Sequence, residues 1–239
     1  MSVLAKVAQV VEVLVSADGP IKLGDMAAQV QLPKSSLHRL LAELVELGLA
    51  RGHDGAYRPG YRLVEWGHAA DRSLGIRAAA EPLMRDLATR AGESVQLHVP
   101  ERAHRVCAVS TPGPNTLQPL MLLGTVLPLG IGATGKVLLA HAPDEVQKEA
   151  WEEAPERARA RWPSAEELDE IRDRGWAISV SEMEIGLTAV SAAVLGRSGA
   201  ALAALTVAGP NTRLTEERQS EILPALLDTA RSLARALSG

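Results

Sequence analysis

The sequence predicts an α+β fold in two parts: three helices and a hairpin at the N-terminus, then a linker helix into a larger domain of mixed strands and helices. Three observations predict it. Between Val3 and Leu49 the apolar residues recur every three to four positions, as amphipathic helices require. From Ser94 the apolar period falls to two, as in Val95-Leu97-Val99, the spacing of half-buried strands. Helical spacing then returns between strand-like runs and closes the chain from Thr215 to Leu237. A length of 239 residues accommodates two domains. The expected boundaries are 1–60 for the first domain, 61–78 for the linker helix and 79–239 for the second domain.

In order along the chain, Val3, Val7, Val10, Val11 and Leu14 share one helical face, and Ala17-Asp18-Gly19-Pro20 ends that helix. Leu23 to Val30 reads as a short second helix with Leu23, Met26, Ala27 and Val30 inward. Gln31-Leu32-Pro33 makes a tight turn, and Pro33 suits the first position of the helix that follows, where its missing N–H is not needed. In that third helix Leu37, Leu40, Leu41, Leu44, Val45 and Leu47 form the apolar stripe. Its other face crowds Lys34, Ser35, Ser36, His38 and Arg39 into the first turn and a half, and acids come only later, at Glu43 and Glu46. A helix dipole favours the opposite arrangement. A cationic, hydroxyl-rich start makes sense where an external polyanion supplies the missing charge; taken alone, the stretch also reads as a solvated amphipathic helix.

The neighbours decide between those readings. Two helices joined by a tight turn, the second with this polar face, form the helix-turn-helix pattern, whose second helix meets base edges with its N-terminal residues. Asp54-Gly55 between Leu49-Ala50-Arg51 and Ala56-Tyr57-Arg58 signals a β-hairpin. A hairpin directly after such a helix is a wing. In isolation a solvated hairpin looks similar, but after a helix-turn-helix the wing is the favoured reading; Arg51, His53 and Arg58 on it reach phosphates or the minor groove, and Lys22, Lys34, Arg51 and Arg58 are the expected phosphate contacts. The expected base readers are Ser35, Ser36, His38 and Arg39.

Tyr61 to Ala80 reads as the linker helix, and a second helix from about Ala79 to Ala91 stops at Gly92. Val95-Leu97-Val99 and Val106-Ala108-Ser110 are the first strands of the C-terminal part, followed by a Pro- and Gly-rich loop from Thr111 to Pro119 and an apolar stretch from Leu120 to Leu129. Gly130 to Lys136 opens a short helix through His141. Polar helices are expected at Pro143–Glu153 and Ser164–Arg174, strands at Trp176–Val180, Thr188–Leu195 and Ala201–Ala208, and a closing helix at Thr215–Leu237.

The formal net charge is −4, and the acidic excess lies in residues 67–239. That leaves the first 66 residues as the candidate polyanion surface, because the rest repels DNA unless held away from it. Cys107 is the only cysteine, so no intrachain disulfide exists and a reducing compartment fits. No apolar run of about 18 residues is present. A cytoplasmic location and no membrane partner are expected.

Three constellations invite catalytic readings and fail them. Gly132-Ala133-Thr134-Gly135-Lys136 lacks the four-residue spacing and the trailing hydroxyl of a P-loop, although a loop entering a helix still offers N–H groups to a small anion. His98, His104 and Cys107 lie close in sequence, but nothing in the pattern brings them within hydrogen-bond reach of one another. No zinc spacing exists, and Cys107 reads as strand filling. Glu182 and Glu184 sit in a loop before a strand, where capping or a place on a pocket rim suits them better than acid–base work. The expectation is a protein that is not an enzyme and carries no cofactor or metal.

With these pieces in place the chain resembles the IclR family of bacterial transcriptional regulators over nearly its whole length. The resemblance rests on GPIKLGDMAAQVQLPKSSLHRLLAELVELGLARGHDGAYRPGYRL, GTVLPLGIGATGKVLLA, RGWAISVSEMEIGLTAVSAAV and ALAALTVAGPNTRLT, in that order. It implies a winged helix-turn-helix for double-stranded DNA, a linker helix, and a GAF/PAS-like effector domain binding a small organic molecule. It also implies homodimers, often paired into homotetramers, and with them a palindromic operator. Ser35, Ser36, His38 and Arg39 fall on the family's recognition-helix positions. Its effector-pocket positions fall here on Ala133, Thr134, Ser179, Ala189, Thr206 and Ala208, with Leu117, Pro119 and Leu120 as a mobile loop over the ligand. The family often has Asp at Ser179, Cys at Ala189 and Pro at Ala193, which implies a less acidic, more apolar pocket here. Gln31 stands where a turn Gly is usual, and Pro59-Gly60 replaces Leu-Gly after the wing. The competing reading is a metabolite-binding protein or enzyme on the GAF-like domain, with the winged helix serving protein contacts.

Overall fold

Helix α1 (Val3–Ser16) starts on the Ser2 hydroxyl, which accepts the Ala5 N–H at 3.2 Å. Strand β1 (Ile21–Lys22), α2 (Leu23–Val30) and α3 (Lys34–Glu46) follow, then β2 (Ala50–His53), β3 (Ala56–Pro59) and α4 (Tyr61–Leu74). Val10, Leu14, Met26, Val30, Leu37, Leu41 and Leu44 meet in one core, closed from below by Ile21, Leu49 and Ala50. The stripe on α3 is narrower than the sequence predicts: Val45 is 39% and Leu47 51% exposed. At 100° per residue these two lie roughly 80° to either side of Leu37, at the edge of what one buried face covers.

Gln31 closes α2 in the left-handed region, at φ 52 and ψ 40. Pro33 is the N-cap of α3, one position earlier than predicted, and donates no side-chain cap. Asp54 and Gly55 both have positive φ, 50° and 72°, which is the type I′ geometry that a two-residue hairpin takes. Strand β1, too short to leave a periodic signal, joins the wing as its third strand in the order β1-β3-β2.

The computed structural model describes residues 2–238, the side chains of 71–74 excepted. The chain divides into two compact units between Leu74 and Gly75. Gly75, at φ 63, interrupts the helix that the sequence pattern runs on to residue 78, and α5 (Ile76–Ala91) begins at once. Gly92, at φ 73, ends it.

The second unit continues with β4 (Ser94–Glu101), β5 (His104–Thr111), β6 (Val126–Pro128), α6 (Gly132–Ala140), α7 (Asp144–Glu153), α8 (Glu156–Arg159), α9 (Ala165–Arg174), β7 (Trp176–Val180), β8 (Leu187–Leu195), β9 (Ala201–Pro210) and α10 (Glu216–Leu237). The strands form a six-stranded sheet in the order β6-β5-β4-β9-β8-β7, antiparallel at every pairing. Helices α5 and α10 cover one face, through Met84, Leu87, Leu226 and Leu233 against Val190, Val194, Leu205 and Val207. Helices α6, α7 and α9 cover the other around Leu139, Ala150 and Ile171, where small residues such as Ala204 and Ala193 let α6 approach closely.

The alternation expected on β5 is inverted. Val106, Ala108 and Ser110 are half-buried, whereas Arg105, Cys107, Val109 and Thr111 are buried. Both faces of the sheet are covered, so a period of two does not say which set goes inside. A bulge also intervenes: Leu97 pairs with Val109 but His98 pairs with Cys107, leaving Ala108 without a partner. That extra residue sends Val109 to the α5/α10 face and turns Arg105 and Cys107 to the face of α6.

Candidate nucleic-acid interface and effector cavity

On α3, Lys34, Ser35, Ser36, His38 and Arg39 are all exposed, opposite the buried Leu37, Leu41 and Leu44. The first turn carries no acid and no side-chain cap, so its N–H groups and cationic side chains face solvent together.

The wing orders a second cationic set. Register places Lys22 opposite Ala56, His53 opposite Ala56, and Arg51 opposite Arg58. Directly paired residues share a face, so Lys22, Arg51, His53 and Arg58 stand on one side, while Ile21, Ala50 and Tyr57 turn to the core. The Arg51 guanidinium lies 4.2 Å from the centre of the Tyr61 ring, and its Nε donates to the Pro59 carbonyl at 3.4 Å. Two arginines facing each other across a ladder repel. Among the described residues no acid pairs with Lys22, Lys34, Arg39, Arg51 or Arg58. His53 alone has an acidic neighbour, Asp54 at 3.2 Å.

In the second unit a cavity of about 80 Å³ opens between the sheet and the start of α6. Of the residues expected there, Pro119, Leu120, Ala133, Thr134, Ser179, Ala189, Thr206 and Ala208 line it. Leu117 does not; it is 73% exposed, and its carbonyl accepts from the Arg213 guanidinium at 2.8 Å. Ser179, Ala189, Thr206 and Ala208 reach the cavity because they are on the α6 face of β7, β8 and β9, in register across the sheet (Ser179 with Ala189, Ala189 with Ala208). Thr134 and Thr206 are 2.8 Å apart through their hydroxyls, and Thr206 is again 2.8 Å from Ser191.

Sequence reasoning missed Gln96, His98, Arg105, Met121 and Met183, which also line the cavity. The bulge in the β4–β5 ladder turns Arg105 inward, and no local signal marks it. The pocket is therefore cationic as well as apolar. His98 is 1% exposed with neither ring nitrogen partnered. Burial, helped by the neighbouring Arg105 charge, pushes its pKa down to about 3, so the ring is neutral. Burial likewise lowers Arg105 to about 10 and raises the Cys107 thiol to about 11, which leaves the cysteine an unreactive thiol.

Lys136 lies behind the cavity, its Nζ 3.0 Å from both Glu167 and Glu182. Burial alone lowers its pKa, but hydrogen bonds to Glu182 and Glu167 outweigh burial and raise it. Glu182 also accepts the Gly132 N–H at 3.2 Å, a capping role. A Cβ on Gly135 would come within 2.9 Å of Arg105 Nη1, and one on Gly132 within 2.9 Å of Met183 Cγ, so both glycines make room for side chains of the cavity wall. His104 is far from His98 in role, pairing with Glu153 at 3.6 Å on the surface. Among the described residues no three His, Cys, Asp or Glu side chains group as metal ligands, and no helix is long and apolar enough to cross a membrane.

A winged helix-turn-helix joined to a domain with an enclosed small-molecule cavity defines a ligand-responsive DNA-binding protein. Residues 3–54 match the IclR helix-turn-helix domain and residues 68–235 the bacterial transcriptional regulator IclR C-terminal domain. The chain belongs to the IclR family of transcriptional regulators. Similar curated proteins include the HTH-type transcriptional regulator KipR of Bacillus subtilis, 27% identical over 91% of this chain and 90% of that protein. The glycerol operon regulatory protein of Streptomyces coelicolor is 29% identical over 98% and 94%. Among solved structures, the Thermotoga maritima IclR is 26% identical with a TM-score of 0.76, covering 99% of this chain and 98% of that one. An IclR homologue from Microbacterium hydrocarbonoxydans complexed with 4-hydroxybenzoate is 25% identical with a TM-score of 0.82 and covers 99% of both. These relatives are regulators, which sets aside the reading of this chain as an enzyme.

Proposed function

We propose that this regulator binds a palindromic operator as a homodimer or homotetramer in the cytoplasm, and that a small organic effector in the 80 Å³ cavity sets its affinity for that operator. The observation that carries the DNA reading is the wing face: Lys22, Arg51, His53 and Arg58 on one side, two of them arginines opposed across a ladder. Such a face costs stability in the free protein and is compensated by phosphate. Lys22, Lys34, Arg51 and Arg58 position the domain on the backbone, and Ser35, Ser36, His38 and Arg39 read base edges from the start of α3. Two-fold pairing spaces the recognition helices about 34 Å apart, one turn of the duplex, hence the palindrome. Pro119, Leu120, Ala133, Thr134, Ser179, Ala189, Thr206 and Ala208 contact the effector, with Leu117 on the outer side of the covering loop. Support comes from the relative complexed with 4-hydroxybenzoate. The effector must favour one assembly geometry over another, since equal affinity for both shifts nothing.

The test is fluorescence anisotropy with duplexes tiled across the upstream intergenic region, at two salt concentrations, beside a shuffled duplex. Arg39→Ala is expected to lose about 1–3 kcal/mol of discrimination while the fold survives. An Arg39→Ala protein that still separates operator from shuffled duplex refutes the assignment of base reading to Arg39.

A further inference from the structure

We infer that the cavity is an anion site for a compact, otherwise apolar monocarboxylate whose carboxylate sits on the guanidinium of Arg105, an inference that rests on reading this cavity as the effector site. Arg105 is 3% exposed. Its Nε and Nη1 have no hydrogen-bond partner, and Nη2 meets only the Met183 thioether at 3.8 Å. Among the described residues no carboxylate pairs with it. A buried guanidinium left in this state is strongly unfavourable, and folded chains pair such charges. The missing partner is an anion that enters the cavity. One that displaces the thioether meets a planar fork of N–H donors suited to a carboxylate.

Two other positive features nearby already have carboxylate neighbours. The start of α6 is where a loop entering a helix would hold an anion, but Glu182 accepts the first of its N–H groups, that of Gly132, and sets a negative charge beside the others. Lys136 is neutralised by Glu167 and Glu182. The anion is thus directed to the sheet side, between Arg105, His98 and Gln96. His98 is neutral, so the pocket offers one positive charge and matches one negative charge. The rest of the wall, with Leu120, Met121, Met183, Leu187 and Ala189, is apolar, and a volume of about 80 Å³ limits the body of the ligand to a few heavy atoms unless the 119–121 segment opens.

Thermal melting of the full-length protein tests this with matched acid and amide pairs at constant ionic strength: acetate and acetamide, butyrate and butyramide, benzoate and benzamide. At ten times its dissociation constant an acid raises Tm by about 3–6 °C, and its uncharged amide does not. Arg105→Met is expected to abolish the acid-dependent shift while its ligand-free Tm holds or rises, because an unpaired buried charge is gone. Arg105→Gln serves the same purpose should the Met variant fail to fold. Inorganic phosphate and sulfate are expected to shift wild type less than the best acid. The inference is overturned by acids that do no better than their amides, by an acid shift that survives Arg105→Met or Arg105→Gln, or by phosphate matching the best acid. Melting needs no DNA, so a failed operator search leaves it standing. Melting that fails beside intact operator binding overturns the Arg105 site alone.

Discussion

Replacing Arg58 with Ala separates a DNA-facing wing from a merely solvated hairpin, because only on the DNA-facing wing does a change that leaves stability equal or higher also weaken DNA binding. Arg58 stands directly across the ladder from Arg51, whose guanidinium is held by the Tyr61 ring and the Pro59 carbonyl and does not swing away freely. Opposed like charges on a strand pair cost roughly 0.2–1 kcal/mol, so Arg58→Ala is expected to match or exceed wild type in urea unfolding. On DNA the change runs the other way. With Lys22, Lys34, Arg51 and Arg58 each neutralising one phosphate, a dimer neutralises about eight, and log K against log salt has a slope of about −7. Arg58→Ala removes two of these contacts and brings the slope to about −5. Between 50 and 200 mM salt wild type then loses roughly four powers of ten in affinity and the variant roughly three. Anisotropy titrations over a salt series measure both slopes, on operator and shuffled duplex alike, and the loss is expected to be the same on each because phosphate contacts carry no sequence information. A variant with the wild-type slope refutes the placing of Arg58 on phosphate.

Three further outcomes follow from the geometry. Gly135→Ala replaces a helix-interior glycine, a change that ordinarily stabilises by about 1 kcal/mol; here the new Cβ falls 2.9 Å from Arg105 Nη1 and 3.2 Å from the Gly130 backbone N, which cannot swing aside as a side chain does, so a net loss of about 1–3 kcal/mol is expected by denaturant titration, and a gain counts against the packing described. Gln31→Gly relieves a non-glycine residue at φ 52 and is expected to stabilise by about 1 kcal/mol, read as a higher urea midpoint at unchanged m-value; an equal or lower midpoint refutes strain at that turn. His98 has its pKa lowered from 6.5 to about 3 by burial and by Arg105, so the unfolded chain binds a proton that the folded chain refuses. The stability this gives is complete above pH 6.5 and is lost as pH falls toward 3, by about 1.4 kcal/mol per unit of depression. His98→Gln is expected to flatten that part of the stability–pH curve, and an unchanged curve removes His98 as its source.

Much of the first unit was legible because its signals are local. The 3.6-residue spacing of Leu37, Leu41 and Leu44, the break at Asp18-Gly19-Pro20 and the turn at Asp54-Gly55 act over a few residues, and each appears where the pattern puts it. The exposed cationic face of α3 needs no tertiary contact either, since a stripe buried on one side leaves the other in solvent. Less legible was the cavity. Ala133, Thr134, Ser179, Ala189, Thr206 and Ala208 were reached only through resemblance to a family, and resemblance also placed Leu117, which the fold turns to the surface.

The amino-acid sequence by itself determined the two-part organisation, the winged helix-turn-helix and the alternation of helices and strands after it, because periodicity and turn chemistry are properties of neighbouring residues. Only the tertiary structure decided the charge of the cavity and the shared face of the wing cations. Lys22 joins Arg51 and Arg58 through a two-residue strand from a distant part of the chain. Arg105 enters the cavity because one unpaired residue in the β4–β5 ladder turns the strand over. Side-chain facing on a strand has a period of two, so a single bulge that no local signal announces exchanges inside for outside.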